Sequence, residues 1–438
     1  MNKREIDKII SSGNNVYIVG IKGAGVAGLA QILQSNGFNV RGSDTHEKFF
    51  TDRILKENHI PYKEGFSKSN LPKKIDWVLA SNAYLGEPIK GQKPNPEIKE
   101  LRRRKIPILS YPEVLSYFFN QSFGIAIAGT HGKTSVTAMV AFILHEAGLK
   151  PNALVGGEVL NWGSNAAVGN SNIFILEADE YKDAFLNYKP DIAVILNMDW
   201  DHPDYFKTYV QYKKSFKKFT ANIKPGGKVL TLKDFNKAPK NIDSPLIGEF
   251  NQFNLRAAYA VARYLGVPGK TIRAALKVFK GTKRRLEVVG RLPSASLRTS
   301  ESNIVIDDYA HNAQKVASAL TALKKHYPRK KVVVVFQPHT FSRTEQFLKD
   351  FAEALIIADE IHLLDIYSSA REAKGKITSD NIVLEIKRRG CDALNLKTIK
   401  NAEKYFRVNP PKNAIIAAMG AGDVGKLAYI LAGKKELV

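Results

Sequence analysis

Residues Ile125 to Met139 read Ile-Ala-Ile-Ala-Gly-Thr-His-Gly-Lys-Thr-Ser-Val-Thr-Ala-Met, and this stretch constrains the fold most. An apolar run stops at Gly129, and Gly132, Lys133 and Thr134 follow. Val136, Met139, Val140, Ile143 and Leu144 then recur at helical spacing. The pattern predicts a strand, a glycine-bearing turn and a helix. Backbone N–H groups of Gly129, Thr130, His131 and Gly132 at such a helix start can cradle phosphates. Lys133 would then reach terminal phosphate oxygens, and a Thr134 or Ser135 hydroxyl a Mg²⁺ ion. The spacing departs from G-x-x-x-x-G-K-[ST], because Ile127 stands five residues before Gly132. An ordinary strand–helix turn carries similar residues, so the rest of the chain decides what a phosphate would be for.

Upstream, a short apolar strand, Val16 to Gly20, leads into Gly20-Ile-Lys-Gly23-Ala-Gly25, a helical pattern from Val26 to about Leu33, and a second strand ending at Gly42-Ser43-Asp44. This is a βαβ start with glycines where a phosphate can approach the backbone. It suits a dinucleotide or another nucleotide diphosphate equally. A further strand, Asp76 to Ala80, ends at Ser81. Gly20, Gly23, Gly25, Ser43, Asp44 and Ser81 are therefore candidate ligand contacts. Gly86 to Pro96 is rich in Gly, Pro and Lys and reads as a loop.

Downstream, strand Ile173 to Leu176 delivers Glu177-Ala-Asp179-Glu180, and strand Ile192 to Leu196 delivers Asn197-Met-Asp-Trp-Asp201-His202. Acids and a histidine at successive strand ends after a phosphate loop suit Mg²⁺, with Thr134, Glu177 and His202 as candidate ligands. Asn251 and Asn254 share a helix face and can offer amides to a base or phosphate, although Asn251 also suits a plain N-cap. Lys283-Arg-Arg285-Leu-Glu287 reads as a strand entry or an anion clamp, and Gly290 to Asn303 as a linker. The last region again alternates strands and helices, with Asp307-Asp308-Tyr-Ala-His311, His339 with Arg343, and Gly420-Ala-Gly-Asp-Val-Gly425 at strand ends.

The 438 residues exceed what one core holds, so several domains are expected. Lys and Arg outnumber Asp and Glu by 66 to 42, giving +24. That excess would suit a non-catalytic basic nucleotide- or nucleic-acid-binding protein, but no nucleic-acid fold signature accompanies it, and nucleic acid is not expected as a partner. No apolar run reaches the roughly 18 residues of a membrane span, so no membrane partner is expected. Residues Met1 to Gly13 lack a signal-peptide core. The single cysteine, Cys391, excludes an internal disulfide and fits a cytoplasmic location.

In this order the motifs resemble the muramyl ligase family, ATP-dependent enzymes that build the peptide stem of peptidoglycan. The resemblance rests on Gly129-Thr-His-Gly-Lys-Thr134, Glu177-Ala-Asp-Glu180, Asn197…Asp201-His202, Asn251-x-x-Asn254, Arg284-Arg285-Leu-Glu287 and Asp308-Tyr-Ala-His311, and it spans nearly the whole chain. It implies an α/β fold of three domains: an N-terminal Rossmann-like domain (1–121) for a UDP-sugar, a central P-loop-type ATPase domain (122–293), and a C-terminal Rossmann-like domain (294–438) for an amino acid. Ser81-Asn-Ala83, Phe336-Gln-Pro-His339, Asp365-Ile-Tyr367 and Gly420 to Gly425 resemble the branch that joins L-alanine to UDP-N-acetylmuramate. The implied cofactors are ATP and Mg²⁺, and the implied chemistry passes through an acyl-phosphate. Lys133, Glu177, His202, Arg285, Asp308 and His311 carry over as catalytic positions, Asn251 and Asn254 as ATP contacts, and His339 and Arg343 as amino-acid contacts. Phe250, Asn312, Ala313 and Thr340 depart from the pattern. These departures keep a second reading open, a recycling ligase that adds a short peptide to the same sugar nucleotide.

Overall fold

The apolar runs sort into three sheets in the computed structural model, which describes residues 3–85, 94–202, 205–292, 303–368 and 375–434. Strands β1 (Asn15–Val19), β2 (Asn39–Asp44), β3 (Tyr62–Glu64), β4 (Trp77–Ala80) and β5 (Ile108–Ser110) form a parallel sheet in the order 3-2-1-4-5. The order reverses beside β1, so the carboxyl ends of β1 and β4 open a crevice of the kind in which ligands bind. The glycine loop after β1 lies there.

The second sheet comprises β6 (Phe123–Ala128), β7 (Asn152–Val159), β8 (Ser164–Ala167), β9 (Ile173–Glu177), β10 (Ile192–Ile195) and β11 (Lys228–Leu230), ordered 11-10-6-9-7-8. Only the β7–β8 hairpin runs antiparallel. Because β6 sits between β9 and β10, the phosphate loop is flanked by the two acidic strand ends. The helix Ala24–Ser35 of the first sheet packs against the β7–β8 hairpin, where Asn165 Nδ2 donates to Ala24 O at 2.6 Å and Ser164 Oγ to Gln31 Oε1 at 3.0 Å. Eight consecutive residues of that helix, Val26 to Leu33, are buried, since it has apolar neighbours on both sides. Each buried Leu or Ile there stabilises by about 1.5–3 kcal/mol. One continuous core therefore runs from Ile18 and Leu79 through Leu29 to Ala126 and Phe174.

The third sheet holds β12 (Glu287–Arg291), β13 (Ile304–Asp308), β14 (Lys331–Phe336), β15 (Glu360–Leu364), β16 (Ala393–Lys397) and β17 (Ala414–Met419), ordered 12-13-17-14-15-16. It is parallel except for the edge strand β12. By contact the chain forms two compact units. One is the chain up to Pro245 with Gln252–Gly281, holding the first two sheets; the other is Leu246–Asn251 with the chain from Thr282 onward.

Two local readings change. Gly290 and Arg291, expected in a linker, complete β12. A bulge between Val288 and Gly290 resets the alternation, so Val289 is buried and Val288 exposed, and the period-2 signal from Leu286 to Val288 misleads. The rest of that linker, 293–302, and most of the loop, 86–93, lie outside the described residues. Asn251 does not cap its helix, which begins at Glu249. Its side-chain amide instead donates back to Ile247 O at 2.8 Å.

Candidate active site

Gly132 closes the phosphate loop at φ 87°, a left-handed conformation that glycine adopts without strain, and the helix Lys133–Glu146 starts directly after it. A Cβ on Gly132 would come 2.5 Å from Asn254 Oδ1, so the missing side chain also makes room for that amide. Asn254 is thereby seated on the loop. Asn197 clasps the same loop: His131 N donates to its Oδ1 at 2.8 Å, and its Nδ2 donates to His131 O at 3.0 Å. Thr130 points inward, with Oγ1 2.6 Å from Asp199 O and 2.7 Å from the Tyr212 hydroxyl. Ser135 opens the same helix, half-buried.

Lys133 folds back over the loop, donating from Nζ to Gly129 O and to Glu180 Oε2, both at 2.7 Å. Glu180 is fully buried and also accepts from the Tyr212 hydroxyl at 3.1 Å. The sequence reading placed Glu180 in a motif but gave it no role; its neighbours, all distant in sequence, are what single it out. Thr134 Oγ1 donates to Glu177 Oε2 at 3.1 Å, and Gly156 N donates to the other oxygen of Glu177. His202 has φ 56° and packs against Tyr181 with the rings tilted by 36° and centroids 4.7 Å apart. Its Nε2 is 3.8 Å from Glu180 Oε1.

Ligand atoms of Asp179, Glu180 and His202 lie within 4.8 Å of one another. Thr134 and Glu177 form a second oxygen pair across the loop. Hard oxygen donors of this kind suit a divalent cation carried with a phosphate, so the residues present fit Mg²⁺. Among the expected ligands, Thr134 and Glu177 are in direct contact, whereas His202 stands with Asp179 and Glu180.

The expected contacts around the first sheet separate into two sets. Gly20, Gly23 and Gly25 line the turn after β1, where Gly20 N donates to Ser43 O at 2.9 Å, and Ser81 follows β4 at the same edge. Ser43 and Asp44 are spent internally. Ser43 Oγ donates to the buried carboxylate of Glu97, and Asp44 accepts from Lys22 N at 2.6 Å and Thr45 N at 2.7 Å. They shape the turn.

In the second unit, Asp308 accepts from Leu286 N and Ala310 N, each at 2.7 Å, and so fixes the loop that presents Arg285 to solvent. Burial pushes its carboxyl up, against those two N–H groups. His311 Nδ1 lies 2.9 Å from Tyr309 O. Burial, then the charge of Lys315, and more weakly those of Arg343 and His339, push its imidazole down to about 4, so it is neutral at neutral pH. His339 stacks on Tyr367 at 6.0 Å. Asn312, a departure from the family pattern, caps the helix Ala313–His326 by accepting from Lys315 N at 2.8 Å.

Asp307 has neither oxygen hydrogen-bonded and lies 3.5 Å from Arg284 Nε. Burial pushes it up to about 7; Arg284 opposes the shift, while Glu287 and Asp308 reinforce it. The unfolded chain loses this proton near pH 4 and the folded one near 7, so this group's contribution to stability falls as pH rises from about 4 to about 7. Asp307→Asn should flatten that slope and raise stability at pH 8 by up to about 4 kcal/mol, read by denaturant unfolding of both proteins at pH 5 and pH 8.

A phosphate loop with its lysine on a buried glutamate, flanked by acidic strand ends and following a glycine-loop sheet, defines a nucleotide-dependent phosphoryl-transfer enzyme of α/β build. Three family models match in chain order: Mur ligase family, catalytic domain (residues 15–123), Mur ligase middle domain (127–241), and Mur ligase, glutamate ligase domain (271–422). The UDP-N-acetylmuramate–L-alanine ligase of Desulfitobacterium hafniense is 33% identical over 461 residues, covering 95% of this chain and 99% of that one. The ligase of the same name from Lactobacillus acidophilus is 34% identical, covering 95% and 98%. Among solved structures, the UDP-N-acetylmuramate–alanine ligase of Thermotoga maritima superposes with a TM-score of 0.75 at 24% identity, covering 96% of this chain and 98% of that one. The chain belongs to the Mur ligase family, and it is an ATP-dependent ligase with that family's three-domain architecture. No described helix is long and apolar enough to cross a membrane.

Proposed function

We propose that the chain joins L-alanine to the carboxylate of UDP-N-acetylmuramate at the expense of ATP, through an acyl-phosphate, in peptidoglycan precursor synthesis. The near-full-length relatives carry that name, and the observation that carries the reading is Lys133 seated between Gly129 O and Glu180 beside the Thr134–Glu177 pair. The proposed division is 1–121 for the sugar nucleotide, 122–293 for ATP and 294–438 for the amino acid.

A carboxylate resists amide formation because oxide is a poor leaving group; phosphorylation replaces it with phosphate. In this assignment Lys133 holds the β- and γ-phosphates, and Gly129 to Gly132 offer backbone N–H groups. Thr134, Glu177 and His202 would hold Mg²⁺, which neutralises phosphate charge when bound. Asn254 orients the nucleotide from its place on Gly132. The neutral His311, with its Nδ1 engaged at Tyr309 O, presents Nε2 as an acceptor to an incoming amine, and Arg343 and His339 face the amino-acid carboxylate. Phosphoryl transfer of this kind depends on positioning and charge more than on covalent chemistry.

The test is phosphate release from ATP with UDP-N-acetylmuramate, comparing L-alanine, other small amino acids and a muropeptide-type tripeptide. L-alanine should stimulate release by at least about tenfold over no amine, one decade being about 1.4 kcal/mol of transition-state discrimination. Release with the tripeptide alone would select the recycling ligase instead.

A further inference from the structure

Tyr111 opens the helix Tyr111–Gln121 directly after β5. Ser110 pairs with Ala80, and Ala80 with Val19, so Tyr111 issues from the same sheet edge as Gly20 and Ser81. Its hydroxyl lies over the glycine loop: a Cβ at Gly25 would come 2.5 Å from it. A side chain at Gly25 would therefore displace this hydroxyl. The phenol also feels Glu177, at the end of β9, and Tyr188. Burial first, and those two groups after it, push its ionisation far above the ordinary tyrosine value, so it remains an uncharged O–H. Among the described residues the hydroxyl has no hydrogen-bond partner. It is a donor set over the glycine loop of the first sheet, on which Glu177, the acid that bonds Thr134 of the phosphate loop, also acts through its charge.

We propose that Tyr111 is a substrate contact that donates its hydroxyl hydrogen to the carboxylate undergoing activation. This rests on the function proposed above. A sugar nucleotide on the Gly20–Gly25 loop and a triphosphate on the Lys133 loop leave one group between them, the carboxylate that receives the phosphoryl group. A carboxylate oxygen attacks the γ-phosphorus, the bond to the β-phosphate oxygen breaks, and ADP leaves with that electron pair. The phenol keeps its proton throughout. A neutral donor suits this position, because it orients the anion without withdrawing the charge that makes it nucleophilic, as a lysine would.

Tyr111→Phe keeps the ring and removes only the donor. With wild-type phosphate release established, the variant should lose about ten- to a hundredfold in kcat/KM for UDP-N-acetylmuramate. Its KM for ATP and its Tm should stay within error. A kcat/KM within twofold of wild type overturns the proposal, and so does an equal rise in KM for both substrates, which is the mark of a structural role. Should the wild type release no phosphate with this sugar, the functional reading falls separately. Calorimetric titration of UDP-N-acetylmuramate into both proteins then decides: weaker binding to the variant supports the contact, and equal or undetectable binding overturns it.

Discussion

Lys133→Ala should leave a folded protein whose phosphate release is at least about 10³-fold slower, since one preorganised charge at a transferring phosphoryl group supplies effects of that order. Lys133 is placed for this by its two bonds, to Gly129 O and Glu180, which hold Nζ over the loop. Its removal leaves the buried carboxylate of Glu180 with the Tyr212 hydroxyl and a distant His202, so a stability loss of about 3–5 kcal/mol should accompany it. Phosphate release measured well below the variant's Tm separates the two effects. Near-normal ligation by folded Lys133→Ala would remove Lys133 from the chemistry.

Glu180→Gln should have the next largest effect, about 10²-fold in kcat. The amide keeps the shape of the side chain and an acceptor for Tyr212, but it no longer fixes the ammonium of Lys133 by charge. Its loss also lowers the negative charge among Asp179, Glu180 and His202, so half-maximal activity should require more Mg²⁺. Glu180→Leu should instead unfold more readily. It strands the Tyr212 hydroxyl in the core, and breaking a buried charged pair costs about 3–5 kcal/mol. A kcat and a Mg²⁺ dependence both unchanged in Glu180→Gln would show that Glu180 serves packing alone.

Part of the basic side-chain complement is paired within the fold. Arg103 and Arg104 share Glu100, Lys324 pairs with Asp359, Lys325 pairs with Glu249, and Arg284 is turned inward to the carbonyls of Gly420 and Gly422. Several of the basic residues are therefore engaged within the fold.

Most of the strands and the phosphate loop were legible because each is a local signal. An apolar run ended by glycine, and a polar cluster at its carboxyl end, are written in consecutive residues, as at Ile125 to Thr134 or Ile173 to Glu177. The bulge in β12 was not legible, because its register depends on β13. Ser43 and Asp44 looked like ligand contacts for the same reason that the glycine loop did, their place after a strand. Only Glu97, 54 residues from Ser43, and the amide of Lys22 show that both are occupied.

What the sequence determined by itself was the family, the three-sheet plan and the lysine proposed to bind phosphate, all carried by short-range spacing. What the tertiary structure decided was partnership. Glu180 for Lys133, Asn254 for Gly132, Asn197 for His131 and Tyr111 over Gly25 each join residues 47 to 122 positions apart. Such contacts depend on which strands lie side by side, and sheet order is fixed by packing of the whole core, which no local pattern encodes.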